Sequence, residues 1–178
     1  MSTVMATLVY LWRIRPGTVP TREFLMIHRG GRPDDFHSGK WNGLGGKLEA
    51  LESPWEAASR EVREESGLEI APERLRWQGI LHFPNFKPQK GEDWWCCVLT
   101  AELSGAEGAQ VAEGARPSEE GTLHWVPESA LLSLNLWEGD RQFLPRVLAG
   151  DPIFGTLRYE QGRVTESRID SRCPTPFT

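Results

Sequence analysis

Apolar residues fall in short, dense runs along this chain rather than in long helical stripes. TLVYLWRI at 7–14 and EFLMIH at 23–28 are rich in β-branched and aromatic side chains and are parted by a Pro/Gly turn over 15–20. Both predict strands. LRWQGILHF at 75–83 and WWCCVLTAE at 94–102 predict two more, with a loop over 84–93 between them. Two runs at 153–159 and 163–169, separated by Glu160-Gln161-Gly162, have the pattern of a closing hairpin.

Helical signals are fewer. Ser53, Pro54 and Glu56 have the spacing of an N-cap, a first helical residue and a capping-box partner, and Gly67 that of a left-handed stop, so a helix is expected from 54 to just before 67. Residues 127–133 predict a short helical turn. Residues 135–149 predict a second helix whose first half Pro145 makes irregular. The Gly-, Pro- and Asp-bearing stretch 29–40 reads as a surface loop, and 104–118, rich in Gly, Ala and Glu without period, as a mobile one.

The chemistry concentrates on the first helix. Glu61, Glu64 and Glu65 stand at i, i+3 and i+4, within roughly 100° of one face. Carboxylates so placed repel unless a cation intervenes. A cluster of hard oxygen donors suits Mg2+ or Mn2+, ions that keep several waters and bind substrate phosphates directly. The same residues also permit a solvated face on which Arg60 and Arg63 pair with Glu56 and Glu64. Just upstream, WNGLGGK at 41–47 is dense in glycine, which lets backbone approach a ligand and turn a carbonyl toward a cation. Arg29, Arg32 and Lys40 are cations placed to meet phosphates.

Composition narrows the partners. The 178 residues, 39% hydrophobic, are enough for one compact domain, expected over 1–170, with 171–178 as a frayed tail. A net charge of −5 argues against nucleic acid or an acidic membrane as partner, and obliges an anionic ligand to find local cations or metal. Cys96, Cys97 and Cys173 have no metal-ligand spacing, and the simplest setting for them is a reduced cytoplasm. Residues 1–12 lack a basic leader and are too short to span a bilayer. Oligomeric state stays open, a monomer being compatible with the pattern.

Gly46, five residues, Glu52, seven residues and then Arg60-Glu61-Val62-Arg63-Glu64-Glu65-Ser66-Gly67-Leu68 make the complete box Gly-x5-Glu-x7-Arg-Glu-aliphatic-x-Glu-Glu-x-Gly-aliphatic. The chain therefore resembles the Nudix hydrolases. WNGLGGK ahead of the box, and Trp137-Glu138-Gly139-Asp140 followed by Phe143-Leu144, resemble the branch of MutT-type enzymes that hydrolyse oxidised purine nucleoside triphosphates. The resemblance implies an α+β Nudix fold, a mixed β-sheet sandwiched between helices with the box as a loop-helix-loop. It implies hydrolysis of a small-molecule nucleoside triphosphate to monophosphate and pyrophosphate by water attack on the β-phosphorus, with Mg2+ or Mn2+.

Site roles follow from the same resemblance. Glu61, Glu65 and the Gly45 carbonyl would hold metal; Glu64 and Glu120 would be ligand or proton acceptor. Arg60 would orient carboxylates by pairing with Glu52. Asn42 and Asp140 would read the base, Trp137 and Phe83 would line or stack on it, and Lys47 and Arg29 would meet phosphate. In one respect the chain departs from the animal relatives, which have two adjacent acids where it has Gly139 before Asp140. Three functions remain in play: removal of oxidised nucleotides such as 8-oxo-dGTP; hydrolysis of ordinary triphosphates, dinucleoside polyphosphates or nucleotide sugars; and a non-catalytic nucleotide sensor. The last sits badly with a box that keeps all its carboxylates.

Overall fold

The computed structural model describes residues 2–30, 39–115 and 121–170. Eight strands form one mixed sheet: β1 (Ser2–Arg15), β2 (Thr21–His28), β3 (Trp41–Asn42), β4 (Arg76–Lys87), β5 (Glu92–Glu102), β6 (Thr122–Pro127), β7 (Ile153–Glu160) and β8 (Arg163–Asp170). Their order is β3-β2-β1-β5-β4-β7-β8, with β6 also on β2. The pairs β1–β5 and β4–β7 are parallel and the others antiparallel.

Both faces of the sheet are covered, as a buried mixed sheet requires. Alternate residues of β1 and β2 go to opposite cores: Val9, Leu11, Leu25 and Ile27 pack with Ala58 and Val62 of helix α1 (Pro54–Ser66), while Tyr10, Phe24 and Met26 pack with Phe143, Leu144 and Val147 of helix α4 (Asp140–Ala149). Two short helices, α2 (Gly105–Gly108) and α3 (Glu128–Leu131), complete the set. Among the described residues no helix is long and apolar enough to cross a membrane.

Helix α1 carries the expected caps. The Ser53 side chain accepts from the Glu56 N–H, the Glu56 side chain accepts from the Ser53 N–H, and Gly67 closes the helix at φ 75°. The glycine-rich stretch 43–47 lies flat along β1, bridged to it at Val9–Leu44 and Ala6–Lys47. A Cβ at Gly45, whose φ is 133°, would collide with the Thr7 carbonyl, so this close approach needs glycine.

Three expectations need revision. In the stretch expected as a mobile loop, the described residues 104–115 include a short helix: Ser104 and Glu107 cap α2 with a capping box of their own, and the Arg13 guanidinium donates to the Gly108 carbonyl at 2.8 Å. The loop over 84–93 shrinks to a single 3-10 turn at Pro88–Lys90, because β4 runs on to Lys87 and β5 starts at Glu92. The last helix begins at Asp140 rather than 135 and continues through Pro145, whose missing N–H costs one helical hydrogen bond without ending the helix. The expected tail 171–178 lies outside the described residues.

Candidate active site

Helix α1 buries Ala57, Ala58 and Val62 and so fixes where its acids point. Glu65 is 2% exposed, and its Oε2 accepts the Gly45 N–H at 2.7 Å. The Glu61 carboxylate lies against the loop so closely that a Cβ at Gly46 would collide with it. Arg60 ties the group together. Its Nε and Nη2 donate to the two oxygens of Glu52 at 2.7 and 2.9 Å, its Nη1 to Glu61 at 2.9 Å and Glu64 at 3.4 Å, and its Nη2 also to the Lys47 carbonyl at 3.0 Å.

This fork-on-carboxylate geometry holds charge in place. The Arg60 hydrogen bonds, followed by the Glu49 N–H, lower the Glu52 carboxyl to a pKa of about 2. The guanidinium itself is pushed up, first by Glu52. Among the described residues no three Asp, Glu, His or Cys side chains converge on one point as metal ligands. Glu65 is turned in toward Gly45, and Glu61 and Glu64 meet at the guanidinium. The donors on offer are carboxylate and carbonyl oxygens laid against a bare glycine backbone, and their chemistry fits a hard divalent cation. Glu120 lies outside the described residues.

A cavity of about 440 Å3 starts at Gly46 and Glu61 and runs to α4, with Arg29, Asn42, Lys47, Phe83, Trp137 and Asp140 all on its walls. These six of the residues singled out from the sequence for substrate thus border one space. Asn42 is fixed by the pairing of β3 with Ile27, and its Oδ1 is buried without a partner among the described residues. Asp140 opens α4 and borders the cavity with its surroundings dry enough that burial raises its pKa to about 7, against the pull of Lys40. Lys40, read from the sequence as a phosphate contact, is instead held by Asn135 Oδ1 at 3.0 Å and the Leu136 carbonyl at 3.1 Å, over the Trp137 ring. Arg32 lies outside the described residues.

Several lining residues escaped the sequence reading. Phe86 and Lys87 sit where a loop was expected, and the extension of β4 brings them to the wall. Lys47 and Lys87 place their ammonium groups 5.1 and 4.6 Å from the Trp94 ring, a cationic mouth beside Glu61. Burial and the neighbouring Lys47 lower the Lys87 pKa. Tyr159 arrives from the terminal hairpin because β7 runs parallel to β4 at Leu81–Gly155 and His82–Thr156, a pairing that no local pattern announces. Cys96 joins the wall as a free thiol held protonated by burial. A larger cavity, of about 810 Å3, opens at the other end of α4 between Trp12, Arg22, Arg74 and Phe154, and none of the chemistry-bearing residues borders it.

The NUDIX domain model matches residues 9–147, most of the chain. This chain belongs to the Nudix hydrolase family. A zebrafish (Danio rerio) protein named oxidized purine nucleoside triphosphate hydrolase is 49% identical to it over 137 residues, covering 76% of this chain and 80% of the relative. A mouse (Mus musculus) protein of the same name is 26% identical over 141 residues, covering 79% and 81%. Among solved structures, a mutator MutT protein from Bacillus halodurans superposes with a TM-score of 0.72 at 23% identity, covering 96% of this chain and 99% of the other, and so shares the Nudix fold.

Proposed function

We propose that this Nudix hydrolase is a Mg2+-dependent nucleoside triphosphate pyrophosphohydrolase that removes oxidised purines, converting 8-oxo-dGTP to 8-oxo-dGMP and pyrophosphate. The observation that carries the reading is the single cavity in which the α1 carboxylate Glu61 and the half-buried polar residues Asn42 and Asp140 face the same space. The zebrafish relative, whose name gives it this activity, adds support.

Glu61, Glu64, Glu65 and the Gly45 carbonyl would hold the metal, with Glu120 as a further candidate. Bound there, Mg2+ would supply charge neutralisation for the phosphates and would lower the pKa of water at the site. The protein supplies the rest. Arg60 keeps Glu52 ionised and aligns Glu61 through a hydrogen bond. Lys47, Lys87 and Arg29 offer cations to the phosphates. Glu64 or Glu120 accepts the proton of the attacking water.

Base choice falls to the other end. An oxidised guanine carries a carbonyl at C8 and a proton on N7, so an acceptor aimed at that edge distinguishes it from guanine. Asn42 Oδ1 is a buried acceptor, and Asp140, with a pKa of about 7, accepts or donates according to its protonation. Leaving a buried polar group unpaired with the wrong base is what gives such a site its discrimination. The test is a panel of damaged and undamaged nucleoside triphosphates with Mg2+ and quantified pyrophosphate. The expected result is kcat/KM highest for 8-oxo-dGTP; equal rates for dGTP, or release of orthophosphate only, would overturn the reading.

A further inference from the structure

The wall of the cavity beside Asp140 carries a polar group that the reading above leaves without a role. Tyr159, near the end of β7, has its ring against Phe83, with centroids 6.3 Å apart, and edge-on to Phe86 at 5.9 Å. Its hydroxyl oxygen accepts the N–H of Gly139 at 2.8 Å. Gly139 is the residue before Asp140 and the first to lead into α4.

The room that a side chain at 139 would need is taken. A Cβ there would collide with the Tyr159 hydroxyl, and would stand 3.0 Å from Leu157 Cδ2 and 3.2 Å from Tyr159 Cζ. The glycine and the phenol are therefore one device: the missing side chain makes space for the oxygen, and the backbone N–H fixes it. A polar atom that β7 supplies stands where chain position 139 would otherwise place its own.

A phenol both accepts and donates. The accepting role is used by Gly139, while among the described residues no acceptor takes the proton that Tyr159 carries. That proton stays on: burial first, and the nearby Asp140 second, push the phenol above its usual range. The cavity then holds three complementary groups, an acceptor at Asn42 Oδ1, a group at Asp140 that takes either part, and a fixed donor at Tyr159.

We propose that Tyr159 is a specificity-determining residue, which donates its hydroxyl proton to a keto oxygen or an unprotonated ring nitrogen on the edge of the bound base. The inference rests on the nucleotide reading of the cavity. A base that presents N–H or C–H at that point leaves the phenol without an acceptor, or sets two donors face to face, and is disfavoured. An oxopurine, with acceptors and N–H groups alternating along one edge, can satisfy all three groups at once.

The experiment is a cycle between the protein and the base. Wild type and Tyr159→Phe are assayed with Mg2+ on 8-oxo-dGTP and on analogues in which each acceptor of the base is replaced in turn by C–H. For one acceptor the replacement is expected to cost wild type about tenfold in kcat/KM, chiefly through KM, and to cost Tyr159→Phe almost nothing. The other replacements should cost both proteins alike. Gly139→Ala provides a second route: its Cβ displaces the phenol, so it should lose the same single discrimination, and adding Tyr159→Phe to it should restore part of its lost Tm. Calorimetric binding of 8-oxo-dGMP and the matching monophosphates repeats the cycle without turnover. A protein that hydrolyses no triphosphate but keeps this binding cycle would overturn the hydrolase reading alone. Identical costs in both proteins, or a uniform loss by Tyr159→Phe across every base, would overturn the role given to Tyr159.

Discussion

Acids are held in opposite states at the two ends of the site. Behind the end proposed to hold phosphate, Glu52 sits on a guanidinium and is held ionised, with a pKa of about 2; at the end proposed to read the base, Asp140 has Tyr10, Cys96, Trp137 and Tyr159 near it, and burial lifts it to about 7. One end is built to carry charge. The other is built to be ambiguous about it, and the difference is set by desolvation and by where the cations go. Arg60 reaches the box acids directly, whereas Lys40 is spent on Asn135 and Leu136 and only tempers Asp140 from a distance.

The largest expected effect breaks the charged end alone. Glu61→Gln should lower Mg2+-dependent turnover by more than about 100-fold, since even groups that only support metal ligands are worth 10- to 100-fold. Residual turnover within tenfold of wild type would remove Glu61 from the metal set. Base preference, read from whatever turnover remains, should not move.

Arg60→Ala strips Glu52, Glu61 and Glu64 of their common partner. A loss of roughly 10- to 100-fold in Mg2+ affinity is expected, read by titrating activity with the metal. Because the pair is mostly but not wholly buried, with side-chain exposures of 16% and 18%, the accompanying stability loss should be about 1–2 kcal/mol in urea denaturation. A variant with unchanged metal dependence would show that the guanidinium merely packs.

At the base end the sign reverses. Asp140 ionises near 4 when unfolded and near 7 when folded, so between those values the folded state holds more protons and stability falls as pH rises. The contribution is fully present below about pH 4 and lost above about pH 7. Asp140→Asn should flatten this slope by roughly 1–3 kcal/mol between pH 4.5 and 8, after discounting for its contact with the cavity, as measured by urea denaturation at each pH. Parallel curves for the two proteins would mean that the carboxyl is ordinarily solvated. The smallest effect touches neither end: Ser53→Ala removes the cap of α1 and should cost about 1 kcal/mol of stability while the ratio of rates on oxidised and normal bases stays fixed.

The same contrast explains what could be read from the chain. The phosphate end comes from one helix and the loop before it, so spacing alone aligned Gly46, Glu52, Arg60, Glu61, Glu64 and Glu65, and caps at Ser53 and Gly67 fixed the helix that carries them. The base end is assembled from β3, β4, β5, α4 and β7. Asn42, Asp140 and Trp137 were visible only through short motifs borrowed from relatives. Tyr159, Phe86 and Lys87 were not visible at all, because their place depends on the parallel register of β7 on β4 and on two strands outrunning their apolar runs. The short helix at 105–108 has a local signal in the Ser104/Glu107 capping box, and Arg13 and Arg74 from far away in the chain add to its hold.

One strand underlies both ends. Ala6, Thr7 and Leu8 of β1 form the cavity floor, the glycine-rich loop is bridged to Ala6 and Val9, and Cys96 is registered against Ala6 across the parallel ladder. An extended backbone advances about 3.3 Å per residue and hardly stretches. On the proposed function β1 is thus a ruler: the span from scissile anhydride to nucleobase would be graduated in peptide units, and a molecule with a longer or shorter bridge between its two halves would be out of gauge however well each half fitted.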